Sequence, residues 1–447
     1  MLGVLSNRTY RHLFLAQVIA LVGTGLATVA LGLLAYKLAG ANAGSVLGTA
    51  LAIKMVAYVV IAPVVGAFAN RLPRRAFLVA MDLIRAGVAI SLPFVTQAWQ
   101  IYVLIFLLQS ASAAFTPTFQ ATIPDVLPDE KDYTRALSLS RLAYDMESLV
   151  SPALAAALLT VISFHWLFGG TVAGFLCSAA LVVSVRLPQS RAAQVAGSIY
   201  EKTFRGISIY LLTPRLQGLL ALNLAAAAAS SMVIVNTVVY VQSRLGRPSS
   251  DVPFGLAAFG CGSMLMALLL PKILDQRPDR PAMLLGASLM AVALGAGVIF
   301  SSVGGDIEWP AFLATWFVIG LGYSMTLTPS GRLLKRSANA ADRPAVFAAQ
   351  FSLSHACWLV TYPLAGFLGA KLGMSSTFAV LALLTAIGVA IAWWVWPIND
   401  ADVLAHAHPS DSGLDEHLAQ GERNGPDSHR HPFTIDEKHR RWPNGGQ

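Results

Sequence analysis

Along the chain, apolar stretches of about twenty residues or more alternate with short polar connections. Twelve such stretches stand out, near 13–36, 46–69, 76–96, 101–122, 136–161, 165–185, 215–241, 253–274, 281–302, 310–331, 345–370 and 375–396. A helix crossing a bilayer needs about 20 mostly apolar residues. Spans must be helical here because lipid offers a bare backbone no hydrogen bonds. The first stretch is too long for a signal-peptide core and lacks a small-residue cleavage site, so it is read as a span. The pattern predicts an all-α membrane protein of twelve transmembrane helices.

Composition agrees. Of 447 residues, 55% are apolar and only 12% charged, about half the charged share of a soluble chain. A soluble enzyme, a disordered protein and a nucleic-acid binder are poor readings of such a chain, despite its formal charge of +8. Cys177, Cys261 and Cys357 all sit inside apolar stretches and read as small membrane-buried residues. Nineteen Lys and Arg fall in one set of connections, against four (Lys37, Arg244, Arg247, Lys371) in the alternate set. By the positive-inside rule both termini are cytoplasmic. That rule accounts for most of the net charge without a nucleic-acid partner.

The chain also repeats weakly, at an offset of a little over 200 residues. Gly66-x-x-x-Asn70-Arg71-x-x-Arg74-Arg75 after span two has its counterpart in Pro271-x-x-x-Asp275-Gln276-x-x-Asp279-Arg280 after span eight. Thr116-Pro117-Thr118 and Thr328-Pro329-Ser330 close spans four and ten. The implied organisation is a six-helix half at 1–185, a basic connection at 186–214, a second half at 215–397 and a polar tail at 398–447. Two such halves are the architecture of a rocking transporter with its site between them. The stretch GAFANRLPRR resembles the major facilitator signature G-x-x-x-D-R-x-x-R-R, with Asn70 in place of the acid. In that family the carboxylate and the following basic residues latch the inward helix ends. Asn70 brings no charge, so the resemblance implies a weaker latch or a substitute in Asp82. Ser151-Pro152-Ala153-Leu154-Ala155-Ala156 resembles a worn antiporter signature, G-P-x-x-G-G, which implies export; an alanine-rich packing face explains it equally well.

Ionisable residues inside spans are costly and therefore functional candidates. They are Lys54, Asp82, Arg85, Arg141, Asp145, Glu147 and His355. Asp82 and Arg85, three apart, share a helix face and read as a structural or gating pair. Arg141 and Asp145 can pair likewise, and Glu147 has no obvious local partner. Lys54 lies some 12 Å from the outer end of its span at helical rise. It is read as the counter-ion of a carboxylate on a neighbouring helix. A proton carrier must be a buried carboxylate, hence Asp82, Asp145 or Glu147. His355 and Cys357 are soft enough to ligate nickel, cobalt or zinc, with Met325 or Met146 as further soft donors. Being two apart on a helix, however, they do not share a face.

After Pro397 the chain turns polar and reads as disordered, or folded only on binding. Six of nine histidines lie there: His406, His408, His417, His429, His431 and His439. A solvated tail and a metal-binding tail are equally good readings of that composition. Residues 354–366 (SHACWLVTYPLAG), together with a tail ending HPFTIDEKHRRWP at 431–443, resemble the nickel-resistance exporters of the major facilitator superfamily. The resemblance implies a monomeric, proton-coupled exporter of divalent nickel or cobalt in a bacterial inner membrane, needing no cofactor. The rivals are a multidrug or siderophore exporter on the same scaffold, and a membrane-anchored metal sensor that does not transport. No P-loop of the form G-x-x-x-x-G-K-[ST] is present, so nucleotide-driven pumping is not expected.

The charge asymmetry makes a direct prediction. Reporter fusions after Arg75, after Arg205 and at the C-terminus should all report the cytoplasm; a periplasmic signal at the C-terminus would mean a miscounted span.

Overall fold

The computed structural model describes residues 2–68, 73–188, 199–274, 277–303, 308–339 and 342–400 and, in the tail, 403–407, 422–423, 428–435, 439 and 442. Twelve long helices occupy the predicted stretches: α1 (Arg8–Ala39), α2 (Ala43–Phe68), α3 (Arg74–Ser91), α4 (Ala98–Val126), α5 (Glu130–Leu159) and α6 (His165–Val183) in the first half, α8 (Pro214–Val239), α9 (Val252–Leu274), α10 (Asp279–Val303), α11 (Trp309–Leu327), α13 (Arg343–Lys371) and α14 (Gly373–Val395) in the second. Two shorter helices, α7 (Ile199–Leu212) and α12 (Ser330–Ser337), lie in connections. Among the described residues, nine segments are long and apolar enough to cross a membrane; the first, Arg8–Ile61, holds both α1 and α2.

Local chemistry sets several helix ends. Asp129 caps α5 by accepting from the Asp132 amide at 3.0 Å, so this helix starts six residues before the apolar stretch does. Pro93 in the turn after α3 cuts that helix short of the predicted 96. Helix α7 is tied to the start of α13 through Arg205, which pairs with Asp342 at 2.6 Å, and through Tyr210, which donates to Gln350.

The weak repeat becomes a structural one where α3 and α10 begin. Arg75 donates to the carbonyl of Val183 at the end of α6. Its counterpart Arg280 donates to the carbonyls of Trp393 and Trp396, both at 2.9 Å, at the end of α14. Each arginine thus satisfies carbonyls that the last turn of a helix leaves bare. The neighbouring position conserves the pairing but swaps its sign. Arg74 pairs with Asp125 at the end of α4, whereas Asp279 pairs with Arg332 (2.8 Å) and Arg336 (3.2 Å) on α12, just past α11. Of the signature residues, Gly66 lies in the last turns of α2; Asn70 and Arg71 fall outside the described residues.

The described residues of the tail pair locally and pack back onto the helical core. Strands β1 (Val403–Ala407), β2 (Glu422–Arg423) and β3 (Ser428–Pro432) make an antiparallel sheet in the order β1-β3-β2, with His406 opposite His429 and Leu404 opposite His431. Beyond β3, Phe433 and Ile435 are buried, and Trp442 lies 5.3 Å from the Arg215 guanidinium at the foot of α8. Asp400 bridges Arg215 and Arg336 at 3.5 Å each, tying the root of the tail to the same foot.

At the end where α1 finishes and α2 begins, the two halves touch backbone to backbone. A Cβ placed on Gly48 of α2 would lie 2.5 Å from the Tyr362 carbonyl oxygen of α13 and 3.3 Å from the Gly366 Cα. One on Gly32 of α1 would lie 2.9 Å from Val238 of α8. The Tyr36 and Ser243 hydroxyls meet at 2.9 Å across the same seam. Small residues permit such approach between helices that lipid does nothing to drive together. Near the same end, the Ala153, Ala156 and Ala157 face in the last turns of α5 lines a shallow apolar crevice with Phe254 and Ala257 in the first turns of α9.

The sign-swapped pairs give a stability prediction. Asp125→Arg should place two arginines together and lower the melting temperature by a few degrees. Arg74→Asp with Asp125→Arg should recover most of that loss, because the second half already uses the reversed polarity. Heating the purified variants in detergent checks this; a double variant no better than the single one would show that the pair contributes nothing.

Candidate functional site

Among the described residues, the charged side chains that the sequence places inside the bundle gather at two places. The first is internal to the first half. Asp82 of α3, fully buried, pairs with Arg85 one turn on and accepts from the Ser178 hydroxyl of α6 at 2.8 Å. The Arg85 guanidinium lies between two rings, 4.2 Å from Phe115 of α4 and 4.5 Å from Phe175 of α6. Stacking suits a weakly hydrated planar cation held away from water. This cluster joins α3, α4 and α6, and the Asp82–Arg85 pair expected from its i, i+3 spacing is formed within it.

The second cluster spans the seam between the halves. Lys54 of α2 and Glu147 of α5 stand within electrostatic reach of one another. The sequence leads one to expect a carboxylate on a neighbouring helix for Lys54; the fold brings Glu147 within electrostatic reach of it, short of a contact ion pair. The Lys54 ammonium lies 5.9 Å from the Tyr58 ring one turn along α2. Tyr58 stacks on His355 of α13, with centroids 5.6 Å apart and planes at 26°. Phe351 (4.1 Å) and Trp358 (6.2 Å) flank the same imidazole. His355 Nδ1 meets the Phe351 carbonyl at 2.7 Å, so it is protonated and donates, leaving Nε2 as the free acceptor. Trp358 donates from Nε1 to Ser230 of α8 at 3.0 Å, and Ser231 donates to Thr361 at 2.8 Å, fixing α13 on α8.

Helix α5 can bring Glu147 this close because of Gly25 on α1. A Cβ there would lie 3.5 Å from Glu147 Cγ and would collide with Ser151. On its other side Lys54 borders a narrow cavity of about 30 Å³, among Thr24, Thr28, Gln109 and Ser112. That is more than the roughly 10–15 Å³ a buried water needs.

The remaining candidates do not converge on His355. Cys357 donates to the Leu353 carbonyl of its own helix at 3.4 Å. Met325 packs in a small apolar cluster with Leu270 and Ala282. Among the described residues, no three His, Cys, Asp or Glu gather as a metal site would require. The side chains of Arg141, Asp145, Met146, His406, His429 and His431, and the whole of His408 and His417, lie outside the described residues. His439 is buried with its ring centroid 4.7 Å from that of Phe433. Sequence reasoning missed Tyr58, Phe351 and Trp358, which resemble ordinary core aromatics until α2 and α13 are brought together. It also missed the close-contact glycines, although Gly44-x-x-x-Gly48 is a recognisable helix-packing signal.

Twelve long helices in two similar halves, most of them apolar enough to cross a membrane, with charged and aromatic side chains meeting at their seam, have the build of a membrane transporter. A Major Facilitator Superfamily profile matches residues 13–307 and, overlapping, 219–412, and the chain belongs to that family. It is 26% identical over 350 residues to YfiS, an uncharacterised MFS-type transporter of Bacillus subtilis, covering 75% of this chain and 82% of that one. Over a shorter stretch of 178 residues it is 25% identical to macrolide efflux protein A of Streptococcus pyogenes, covering 39% of this chain and 43% of that protein. In fold it is similar to a bacterial homologue of the lysosomal transporter Spinster in an inward-facing, unoccupied conformation (TM-score 0.69, 13% identity, 87% of this chain and 96% of that one). The D-xylose–proton symporter is similar too (TM-score 0.64, 15% identity, with the same coverages).

A bracing role for the Asp82–Arg85 pair is testable. Asp82→Ala leaves a buried arginine without its counter-ion, a change that typically costs about 3–5 kcal/mol, and should sharply reduce folded protein in the membrane. Asp82→Leu with Arg85→Met replaces the pair by apolar groups and should restore much of it, read by fluorescence size-exclusion chromatography. A fully folded Asp82→Ala variant would contradict the bracing role.

Proposed function

We propose that the protein is a proton-coupled exporter of amphipathic, ring-bearing organic solutes. The single observation that carries this reading is the seam cluster, in which a Lys54–Glu147 pair from one half faces an aromatic wall around His355 from the other. Of the three candidate carboxylates, Glu147 is the one we assign the proton, because it stands within electrostatic reach of Lys54 and Tyr58. Asp82 is held by Arg85, and the Asp145 side chain lies outside the described residues. With Glu147 ionised, the pair is neutral overall and Tyr58, His355 and Trp358 offer flat apolar surface. Protonation of Glu147 leaves the Lys54 ammonium uncompensated, so the site's charge changes by one unit as the proton arrives. A solute bound beside the pair is then held differently in the two states, which alternating access requires. The efflux role carried by the name of the streptococcal relative supports the direction. The positive-inside rule supports a bacterial inner membrane with both termini in the cytoplasm.

Nickel or cobalt export is the second reading, favoured by the His406–His429 register in the tail and by the free Nε2 of His355. Against it, a divalent ion at His355 would lie near the Lys54 ammonium, which repels it twice as strongly as a singly charged solute. Among the described residues, no group of three His, Cys, Asp or Glu ligands gathers there to offset that. A membrane-anchored sensor without transport leaves the intramembrane Lys54–Glu147 pair unexplained.

The test is accumulation in cells lacking their own exporters, with a macrolide, a cationic dye, nickel and cobalt compared side by side. Expression should lower accumulation of the organic probes. Glu147→Gln should abolish that effect at normal membrane levels, and Tyr58→Ala should weaken it about tenfold or more, the scale on which a truncated aromatic hot spot acts. Lowered nickel or cobalt with unchanged organic probes, lost in His355→Ala, would transfer the assignment to the metal reading.

A further inference from the structure

At the sealed end of the seam one buried group is left without a partner. Asn236, near the end of α8, is fully buried. Its amide nitrogen donates to the Ala365 carbonyl of α13 at 3.1 Å and lies 3.8 Å from Met232 Sδ. Its carbonyl oxygen accepts no hydrogen bond. The bond to Ala365 also fixes which way the amide faces, since the flipped form would set two carbonyl oxygens against each other.

The orphaned oxygen is wedged between two glycines. A Cβ on Gly44 of α2 would lie 2.8 Å from it, and one on Gly369 of α13 would lie 2.5 Å away. The backbones flanking it leave only Cα–H groups to face it, which are weak donors. Gly369, Ala365 and Asn236 all belong to the second half, whereas Gly44 belongs to the first. Separating the halves at this end therefore leaves the Asn236–Ala365 bond intact and takes away only Gly44, exposing the oxygen to solvent.

We propose that Asn236 is a positioning residue of this gate, whose orphaned carbonyl penalises the closed state and so favours reopening. Gly44 is its steric counterpart, the position that must lack a side chain for the gate to shut. A burial that leaves an acceptor unpaired shifts an equilibrium by about five- to 150-fold. The inference rests on alternating access and is independent of the substrate. Asn236→Val removes the acceptor without reaching toward Gly44 and should raise the closed-to-open ratio within that range. Gly44→Ala adds the obstructing methyl and should shift the ratio the opposite way.

The experiment uses the full chain in lipid nanodiscs, with Cys177, Cys261 and Cys357 replaced by Ser and spin labels at Asn42→Cys and Leu372→Cys. These positions are exposed and lie on opposite halves at the sealed end. Double electron–electron resonance then reads the gate directly, with no substrate present. The expected result is a gain of the short-distance population in Asn236→Val and of the long-distance population in Gly44→Ala. An unchanged or widened distribution in Asn236→Val, or a Gly44→Ala gate that shuts as tightly as the parent, would overturn the proposal. Should Asn236→Val fail to fold, the Gly44→Ala distribution decides alone. Loss of export activity with these shifts intact would count against the proposed function and leave the gate standing.

Discussion

Everything in this molecule is arranged around the cost of a charge that water cannot reach. Lipid around the helices offers no hydrogen bonds and little dielectric screening, so each ionised side chain inside the bundle must find its opposite within the protein. Asp82 and Arg85 do so on one helix, with Ser178 and two phenyl rings completing the enclosure. Lys54 and Glu147 do so across two helices. In our reading, that difference separates brace from site. A pair on one helix keeps its geometry whatever the halves do, whereas a pair bordering the seam can be altered by whatever enters it.

Close helix approach is the second requirement, and small residues supply it. Gly25 lets α5 carry Glu147 toward α1, and Gly48 with Gly366 lets α2 meet α13, which is how Tyr58 comes to stack on His355. The same economy governs the ends of the bundle. Arg75 and Arg280 cap the final helix of each half in the same way, while the positions before them keep an ion pair of opposite polarity. The pairing was retained across the repeat although its charges were not, which indicates that the contact itself is needed at the start of α3 and of α10.

The spans were legible because twenty apolar residues in a row have few other uses, and their ends were misplaced where a cap or a proline acts locally, as at Asp129 and Pro93. Helices α7 and α12 escaped notice because short amphipathic turns in polar connections carry no such signal. The candidate charges were legible one by one from the cost of burying them, and so was the need of Lys54 for a carboxylate. Which carboxylate could not be read, because the packing of α2 near α5 is a property of the fold. The aromatic wall around His355 was invisible for the same reason: Tyr58 and Phe351 lie nearly 300 residues apart. The metal reading rests on resemblance and on the count of tail histidines, and among the described residues no group of three His, Cys, Asp or Glu gathers at His355 to strengthen it.

The central claim is that proton movement through Glu147 is coupled to movement of an organic solute across the seam. The most direct measurement is proton flux in liposomes containing purified protein and a trapped pH-sensitive dye, started by an imposed macrolide gradient with no pH difference at the outset. The account predicts protons moving opposite to the macrolide, with the flux absent from Glu147→Gln protein. Macrolide transport without proton movement, or proton movement unchanged in the Glu147→Gln variant, would contradict it.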